Sequence, residues 1–446
     1  MISVNNLSAK IISSILGINY VREDYLIKNI SWDSREIGER ICFVAIKGKN
    51  HDGHCYIDEA INNGARLIIS SQPLNTKDVP ILYVDNTIDA LCKIAKYYKG
   101  RTKIIGVTGS SGKTTVKELI KAVLEKKYSV SSTLNNENNE IGVAKTLLSL
   151  SNQEYCVVEM GMRAIGEIAY LSRIAEPDTS VVTNIGSAHI EMLGNRNNIF
   201  KAKLEILDYT KSHCVIPMDK EFLNYNKGEL TPHYIGENGN FSYINKAFNS
   251  FGTEFTLLKN GADQGRFFIN SFAEFNIINS LFAYSVGCIY GVDHEDMKDA
   301  IKNFKNIGLR EKIIKIRGIT LYLDCYNASY EGMKGSIQGF ISFCKEKGLR
   351  ANLVLGKMRE IGLNENEYHY RIGEYAKDVG VENLMCYGND LLAYADGFCG
   401  GKIFCDKKQI AEYILNKFDK DDAILFKASR VDRLEEIVYK MKEMIK

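Results

Sequence analysis

The chain has 446 residues, of which 45% are hydrophobic and 25% are charged. Both fractions are ordinary for globular proteins, so the composition argues against disorder, collagen and coiled coil. The 57 Lys and Arg against 55 Asp and Glu leave a formal charge of +2, which argues against a nucleic-acid surface built from bulk positive charge. Because domains usually run roughly 100 to 200 residues, we expect two to four of them.

The sequence contains no membrane span, signal peptide or Cys-x-x-Cys motif. No run approaches the roughly 18 apolar residues of a membrane span, and the first four residues begin no signal peptide. None of the 11 cysteines belongs to a Cys-x-x-Cys pair, so we expect reduced core residues rather than disulfides or zinc ligands. We therefore predict a cytoplasmic chain without a membrane span or a nucleic-acid partner, and we expect a monomer.

The first block of the chain alternates short apolar strands with helical periodicity. Residues 41–46, 66–70 and 81–84 have the composition of strands, and residues 87–98 have the apolar spacing of a helix. Strands that alternate with helices are typical of α/β folds. We predict a small α/β domain over residues 1–100.

Two further blocks repeat this alternation. The second block has a predicted helix at 114–127, a polar-edged hairpin formed by 251–258 and 265–270, and strands at 103–109, 155–160, 179–184 and 214–218. The third block has predicted strands at 320–324, 351–355, 383–386, 402–405 and 423–426. We predict a central domain with a parallel sheet over residues 101–308 and a Rossmann-like C-terminal domain over 309–446.

The most informative segment is residues 106–115, which read GVTGSSGKTT between a predicted strand and a predicted helix. Glycines let backbone N–H groups close around phosphate oxygens, and a helix N-terminus adds positive potential. Lys113 would reach the β- and γ-phosphates and Thr114 would bind Mg²⁺. Val107 stands where the strict pattern has a glycine, and Gly106 supplies it in a longer variant. The segment predicts a P-loop-type site for a nucleoside triphosphate, formed by Gly109, Ser110, Gly112, Lys113, Thr114 and Thr115.

This loop and its surrounding motifs resemble the Mur ligase family of ATP-dependent amide-forming enzymes. The likeness runs over nearly the whole chain, through DSR at 33–35, FVAIKG at 43–48, DGH at 52–54, TLNNENNEIG at 133–142, EMG at 159–161 and TNIGSAHIE at 183–191. It implies ATP and Mg²⁺ as cofactors, and a carboxylate that is activated as an acyl phosphate and then attacked by an amine. The implied partners are a UDP-linked acyl substrate, UDP-N-acetylmuramoyl-tripeptide, and an amine co-substrate, D-alanyl-D-alanine.

The resemblance implies a catalytic set in the central domain. Lys113 would face the transferring phosphate, and Glu159, at the end of a strand that should face the loop, would hold Mg²⁺ with Thr114. His189 would bind a second Mg²⁺. The matching lysine of relatives can be carbamylated, which would turn Lys203 into a carboxylate-like metal ligand, whereas an unmodified lysine would repel Mg²⁺.

Other positions are implied to bind the nucleotide or the substrates. Asn138 and Asn139 would orient the acyl substrate, Asn276 and Asn279 would contact adenine, and Arg310 would reach the nucleotide across the domain joint. Substrate contacts in the outer domains are implied for Ser34, Arg35, Asp324, Tyr326 and Asn327. Such an arrangement requires the third domain to close over the second.

The sequence departs from the family pattern at several positions. Phe275 replaces a histidine that often precedes the adenine pair, so stacking would hold the base. Tyr330 stands where proline is usual and Lys357 where aspartate is usual. The change from aspartate to lysine alters the local charge by two units. In a partly desolvated pocket it would reverse the preference between cationic and anionic substrate groups. Alternatives are a divergent Mur-type ligase for another amine or acyl substrate, a nucleotide-binding regulatory or transport protein that hydrolyses ATP without ligation, or a metal-free interaction protein.

Overall fold

The computed structural model describes residues 1–20, 22–74 and 79–445. Within those ranges the chain forms three α/β domains around sheets of five, nine and six strands. The predicted three-domain α/β class is confirmed. The sheets span residues 2–83, 103–269 and 312–427, so the predicted joints near residues 100 and 309 fall between sheets, and their exact positions remain predictions.

The first sheet has the strand order β1-β2-β3-β4-β5, with β1 antiparallel to β2 and the other neighbours parallel. Its domain contains β1 (Ile2–Ser8), α1 (Ala9–Ile15), β2 (Leu26–Ser31), β3 (Ile41–Val44), α2 (Ile57–Asn62), β4 (Ala65–Ser70), β5 (Ile81–Tyr83) and α3 (Thr87–Tyr98). Helix α3 has the predicted bounds because the Asn86 side chain accepts hydrogen bonds from the first free backbone N–H groups. Strands β1 and β2 are not among the predicted strands. Polar residues occupy the exposed positions of β1, and Lys28, Asn29 and Ser31 interrupt the apolar residues of β2.

The central sheet has the order β14-β13-β12-β11-β10-β9-β6-β8-β7, parallel from β7 to β12 and antiparallel from β12 to β14. Its strands are β6 (Lys103–Thr108), β7 (Val130–Ser132), β8 (Tyr155–Glu159), β9 (Thr179–Val182), β10 (His213–Pro217), β11 (Thr231–Ile235), β12 (Phe241–Asn249), β13 (Gly252–Lys259) and β14 (Ala262–Ile269). Its helices are α4 (Lys113–Leu124), α5 (Glu140–Leu148), α6 (Glu167–Ala175), α7 (Ile190–Leu193), α8 (Arg196–Leu204), α9 (Lys220–Asn224), α10 (Glu274–Ile289) and α11 (His294–Asn303). The pairing of β13 with β14 confirms the predicted hairpin.

The third sheet has the order β15-β16-β20-β17-β18-β19 and is parallel except for the pair β15–β16. Its strands are β15 (Lys312–Ile316), β16 (Ile319–Leu323), β17 (Arg350–Leu355), β18 (Asn383–Tyr387), β19 (Lys402–Phe404) and β20 (Asp422–Lys427). Its helices are α12 (Tyr330–Lys347), α13 (Glu365–Asp378), α14 (Leu392–Phe398), α15 (Lys407–Lys417) and α16 (Glu435–Met444). The doubly wound parallel arrangement agrees with the predicted Rossmann-like domain.

The central sheet is buried on both faces, and this burial fixes where a ligand can bind. One face packs under α4 and α10, and the other packs under α5 and α6, whose core continues into the first domain through α3. Strand β6 lies between β8 and β9, so the loops that follow these three strands meet at one edge, where ligands of parallel α/β sheets bind. None of the helices in the described part of the chain combines the length and apolar character that a membrane crossing requires.

Candidate functional site

The loop between β6 and α4 requires glycine at two positions. Gly109 has φ +148° and Gly112 has φ +77°, in the region that side chains other than glycine rarely adopt. A Cβ atom on Gly109 would lie 1.9 Å from Thr183 Oγ1, and one on Gly112 would lie 2.9 Å from Asn279 Oδ1. The loop is therefore closely packed between the end of β9 and helix α10.

Hydrogen bonds to the segment after β9 hold the loop in this shape. The backbone N–H of Ser110 donates to Asn184 O over 3.1 Å, and the N–H of Ser111 donates to Asn184 Oδ1 over 3.0 Å. Ser110 Oγ in turn accepts from the N–H of Gly186 at 2.9 Å. The loop and the 183–187 segment are thus joined by hydrogen bonds at the carboxyl edge of the central sheet.

Lys113 begins α4 and its side chain folds back over the loop. The ammonium Nζ donates to Gly109 O over 2.7 Å. Burial lowers the pKa of Lys113, and the nearby Glu159 carboxylate opposes that shift. Thr115 is buried in the same first helical turn. The predicted loop residues are therefore brought together with a cation at the mouth of the loop.

Glu159 ends β8, the strand beside β6, and it is only 1% exposed. Its Oε2 accepts from Thr114 Oγ1 at 2.9 Å, and its Oε1 accepts from Asn138 Nδ2 at 2.8 Å. Asn139 points elsewhere, because its side chain caps α5 by accepting from the N–H of Gly142. The predicted Thr114–Glu159 pair is therefore assembled with Asn138, whereas Asn139 has a structural partner.

Lys117 is a residue of this region that the sequence analysis does not single out. Its side chain is fully buried, one helical turn after Lys113, and its Nζ donates to Thr133 O over 2.5 Å and to Asn135 O over 3.2 Å. It therefore fastens the loop that carries Asn138 to helix α4. A lysine on the apolar face of a predicted helix is the sequence signal that could have identified it.

Lys203 lies on α8 with a side chain that is 0% exposed, and its Nζ has no hydrogen-bond partner among the residues that the structure describes. Burial places the pKa of this amine well below its usual value, and the charge on Lys113 lowers it further while Glu159 opposes. A neutral amine is the form that can add carbon dioxide to give a carbamate. The environment of Lys203 therefore fits the predicted modification.

His189 has an unusual backbone and a partner from the third domain. Its φ is +66°, and its Nδ1 lies 2.6 Å from Oε2 of Glu360, in the segment between β17 and α13. Hydrogen bonding to His189 lowers the pKa of Glu360. A second link joins the same region, because Ser187 donates to both carboxylate oxygens of Glu331 on α12, at 3.2 Å from its N–H and 2.9 Å from its Oγ. Glu331 and Glu360 are not among the sequence-predicted site residues.

The predicted adenine pair forms a buried amide chain on α10. Asn279 Nδ2 donates to Asn276 Oδ1 over 2.9 Å, and Asn276 Nδ2 donates to Ser271 Oγ over 2.9 Å. Phe275 lies beside this pair, and its stacking on a base remains a prediction. A Cβ atom on Gly335 of α12 would lie 2.9 Å from its ring, so Phe275 packs against the third domain.

Comparison with known proteins agrees with this geometry. Residues 107–287 match the Mur ligase middle domain, residues 310–430 match the Mur ligase glutamate ligase domain, and residues 26–135 match the Mur ligase family catalytic domain. The UDP-N-acetylmuramoyl-tripeptide–D-alanyl-D-alanine ligase of Bacillus subtilis is 34% identical over 98% of this chain and 97% of its own. The chain belongs to the Mur ligase family.

Solved structures of other family members share the architecture. The MurF ligase of Thermotoga maritima in complex with ADP is 30% identical, covers 93% of this chain and 97% of its own, and has a TM-score of 0.84. MurF from Acinetobacter baumannii covers 99% of this chain and 100% of its own with a TM-score of 0.91, and at 24% identity it supports the fold alone.

The third-domain residues that the family resemblance singled out have partners of their own. Asp324 accepts from Lys427 Nζ at 2.8 Å and from Ser336 Oγ at 2.5 Å. The Cζ atom of Arg310 lies 3.9 Å from the ring centroid of Tyr326, so the two candidates form a cation–π pair. Asn327 uses its Oδ1 to accept from the N–H of Ala328.

Lys357 does not present a free cation to a substrate. Its Nζ lies 2.6 Å from Glu365 Oε1 and 2.6 Å from Asp390 Oδ2, and hydrogen bonding to these carboxylates raises its pKa. The expected reversal of local charge relative to other Mur ligases is therefore offset within the domain. Tyr330, the other third-domain departure, packs its ring 5.1 Å from that of Tyr368.

The candidates of the first domain lie on its surface. Ser34 Oγ donates to Glu59 Oε2. Exposed Arg35 donates to Asp33 Oδ1 over 2.8 Å and to Asp33 Oδ2 over 2.6 Å, and this pairing lowers the pKa of Asp33 to about 2. The Arg35 guanidinium has further N–H donors that this pair does not use.

Proposed function

We propose that the chain is an ATP- and Mg²⁺-dependent ligase that joins D-alanyl-D-alanine to UDP-N-acetylmuramoyl-tripeptide. The observation that carries the proposal is the grouping of Lys113, the Thr114–Glu159 pair and buried Lys203 around one phosphate loop. Relatives that bear this activity in their names, such as the Bacillus subtilis ligase, span nearly the whole chain, which supports the same pair of substrates.

The proposed reaction has two steps. A carboxylate oxygen of the tripeptide attacks the γ-phosphorus of ATP, and ADP leaves as an acyl phosphate forms. The amine of D-alanyl-D-alanine, having lost a proton, attacks the acyl carbon, and phosphate leaves as the amide bond forms. Positioning and charge neutralisation supply most of the rate in such phosphoryl transfers.

The central-domain residues would perform this positioning. The backbone N–H groups of the loop and the start of α4 would receive the phosphates. The Lys113 ammonium would offset the charge that the phosphoryl group carries during transfer. Asn138, held by Glu159, would present an amide to the acyl substrate, and Arg310 would approach the nucleotide from the third domain.

The donor set fits Mg²⁺ if Lys203 is carbamylated. The described residues include no cluster of three or more His, Cys, Asp or Glu side chains arranged to hold a metal, and Mg²⁺ commonly uses one or two carboxylates together with substrate phosphates. Thr114 and Glu159 would hold one Mg²⁺, His189 would bind a second, and the Lys203 carbamate would supply a carboxylate-like ligand. Mg²⁺, when bound, would neutralise the charge of the transferring phosphoryl group.

The outer domains would bring the two substrates to this centre. Ser34 and Arg35 would bind the UDP moiety, and Asp324, Tyr326 and Asn327 would lie on the amine side of the site. A UDP-linked peptide is a water-soluble substrate, which supports a cytoplasmic enzyme, and we propose that it acts as a monomer. Size-exclusion chromatography with light scattering tests that state, and a stable dimer would contradict it.

A ligase for a different amine is the second candidate. It is favoured by Lys357, which stands where an aspartate is usual and which pairs with two further carboxylates, Glu365 and Asp390. The two candidates share all the ATP chemistry, so they differ only in the amine that supports turnover.

A coupled phosphate-release assay with UDP-N-acetylmuramoyl-tripeptide and a panel of amines tests both candidates. We expect phosphate release only when ATP, Mg²⁺, the tripeptide and D-alanyl-D-alanine are all present. Release with another amine alone would favour the second candidate. Steady ATP hydrolysis that no acceptor changes would contradict ligation altogether.

A further inference from the structure

Glu311 lies in the segment that connects α11 of the central domain to β15 of the third domain, and its carboxylate contacts both. Its Oε2 accepts from Asn276 Nδ2 on α10 at 3.1 Å and from Asn306 Nδ2 in the connecting segment at 2.7 Å. Its Oε1 accepts from the hydroxyl of Tyr322 on β16 at 2.9 Å. One carboxylate therefore joins the central domain, the connection and the third-domain sheet.

The surroundings make this carboxylate costly to keep charged. Burial raises the pKa of Glu311 to about 7, the nearby Asp324 adds to that shift, and the hydroxyls of Ser271 and Tyr322 oppose it. Its backbone has φ +51°, a conformation that side chains other than glycine, asparagine and aspartate rarely adopt. Such a strained backbone persists only where the surrounding contacts hold it, so we expect the hydrogen bonds of Glu311 to keep its backbone in this conformation.

The contacts of Glu311 continue to the phosphate loop. Asn276 Oδ1 accepts from Asn279 Nδ2 at 2.9 Å, and Asn279 Oδ1 lies where a Cβ atom on Gly112 would come within 2.9 Å. Tyr322, Glu311, Asn276 and Asn279 thus form a continuous polar chain from the third-domain sheet to the loop.

We propose that Glu311 is a positioning residue that orients Asn276 and Asn279 for the nucleotide and makes their orientation depend on docking of the third domain. The Asn276 amide nitrogen donates to Ser271 Oγ and to this carboxylate, and the carboxylate is the acceptor that links the amide to the third domain. This inference rests on the proposed use of ATP at the loop. It adds a residue outside the phosphate-loop motif and outside the predicted adenine pair.

Binding of a fluorescent ADP analogue in the presence of MgCl₂ tests the proposal on the full chain. Glu311→Gln keeps one oxygen acceptor for the two asparagine amides and offers its own NH₂ to the Tyr322 oxygen. Glu311→Leu removes every acceptor at similar volume. We expect Glu311→Leu to weaken binding about tenfold, the effect of losing one hydrogen bond to a charged acceptor, and Glu311→Gln to stay within about threefold of wild type.

Two further variants keep the test decisive if the leucine variant unfolds. Glu311→Asp keeps the charge but shortens the side chain, so it cannot span Asn276 and Tyr322, and we expect about fivefold weaker binding. Glu346→Leu, on the exposed surface of α12, is the matched control and should bind like wild type. Thermal unfolding of each variant identifies those that fold.

A folded Glu311→Leu variant with wild-type affinity would overturn the proposal, as would a glutamine variant as weak as the leucine variant. If the leucine variant does not fold, wild-type affinity of Glu311→Asp would overturn it.

A kinetic measurement distinguishes a positioning role from a general loss of structure. In turnover, the KM for ATP should rise while the KM for the UDP-linked substrate stays the same, and equal rises in both would count against the proposal. Failure of the wild-type chain to bind the ADP analogue would contradict the proposed function instead.

Discussion

Lys203 in the central domain and Lys427 in the third domain are both buried lysines, but their surroundings differ. Within the described part of the chain, Lys203 Nζ has no hydrogen-bond partner, whereas Lys427 Nζ donates to Asp324 Oδ2 and to two backbone carbonyls. An unpaired buried ammonium is strongly destabilising, so such a group either loses its proton or acquires a partner. The comparison indicates that the central domain is arranged to receive a ligand or modification, while the third domain balances its charges internally.

The largest expected effect comes from removing the cation at the phosphate loop. Lys113→Ala should lower kcat by a thousandfold or more, because an ammonium matched to the transferring phosphate is lost. The measurement is phosphate release under saturating substrates, with Lys121→Ala on the same helix as the control. Turnover of Lys113→Ala at the control rate would refute the role of the loop.

The two buried lysines should respond differently to replacement. Lys203→Ala should lower kcat by about a hundredfold by removing a proposed metal ligand, and acetate or formate should restore part of the rate by supplying the missing carboxylate. Lys427→Ala should instead lower stability by about 3 kcal/mol, because Asp324 is left buried without a counter-charge and keeps only the Ser336 hydroxyl as a partner. If carboxylates do not rescue Lys203→Ala and the intact mass shows no carbamate on Lys203, the proposed difference between the two lysines would be contradicted.

The third domain should lose stability in acid through His369. Burial lowers the pKa of His369 to about 4, and its neutral Nε2 accepts from the N–H of Met358 at 3.2 Å. The unfolded chain binds this proton more readily, so the stabilisation is complete above pH 6.5 and is lost as the pH falls towards 4, by up to about 3 kcal/mol. Denaturant unfolding from pH 7 to 4.5 measures it, and a His369→Gln variant with the same acid sensitivity as wild type would contradict it.

The smallest expected effect is at Lys357. Lys357→Met should change the KM for the amine less than about threefold, because Glu365 and Asp390 already neutralise the ammonium. Initial rates at varied amine concentration provide the measurement. A tenfold or larger change in KM with unchanged thermal stability would mean that Lys357 contacts the substrate, and the contrast between the two domains would then fail.

The features that the sequence predicts well are those that depend on neighbouring residues. The loop at 106–115, helix α3 and the hairpin of β13 and β14 follow from glycine spacing, apolar periodicity and local strand composition. Strands such as β15 are missed because their residues are largely exposed. The amino-acid sequence therefore reveals strands and helices with a buried face more readily than exposed strands at the edge of a sheet.

Contacts between domains could not be read from the sequence. Ser187 and Glu331 are 144 positions apart, and His189 meets Glu360 only because the third domain lies against the central one. The ion pair of Lys357 with Asp390 is a similar contact, since Asp390 lies on a different loop. Local patterns carry no information on which charges will be neighbours after three domains pack together.

The most direct test of the account follows an oxygen atom through the reaction. The tripeptide is prepared with ¹⁸O in its terminal carboxylate, and the phosphate released with D-alanyl-D-alanine is analysed by mass spectrometry. An acyl phosphate intermediate predicts that each phosphate carries one oxygen from that carboxylate. Phosphate that contains no such label would show that water attacks ATP, and the ligase mechanism would be contradicted.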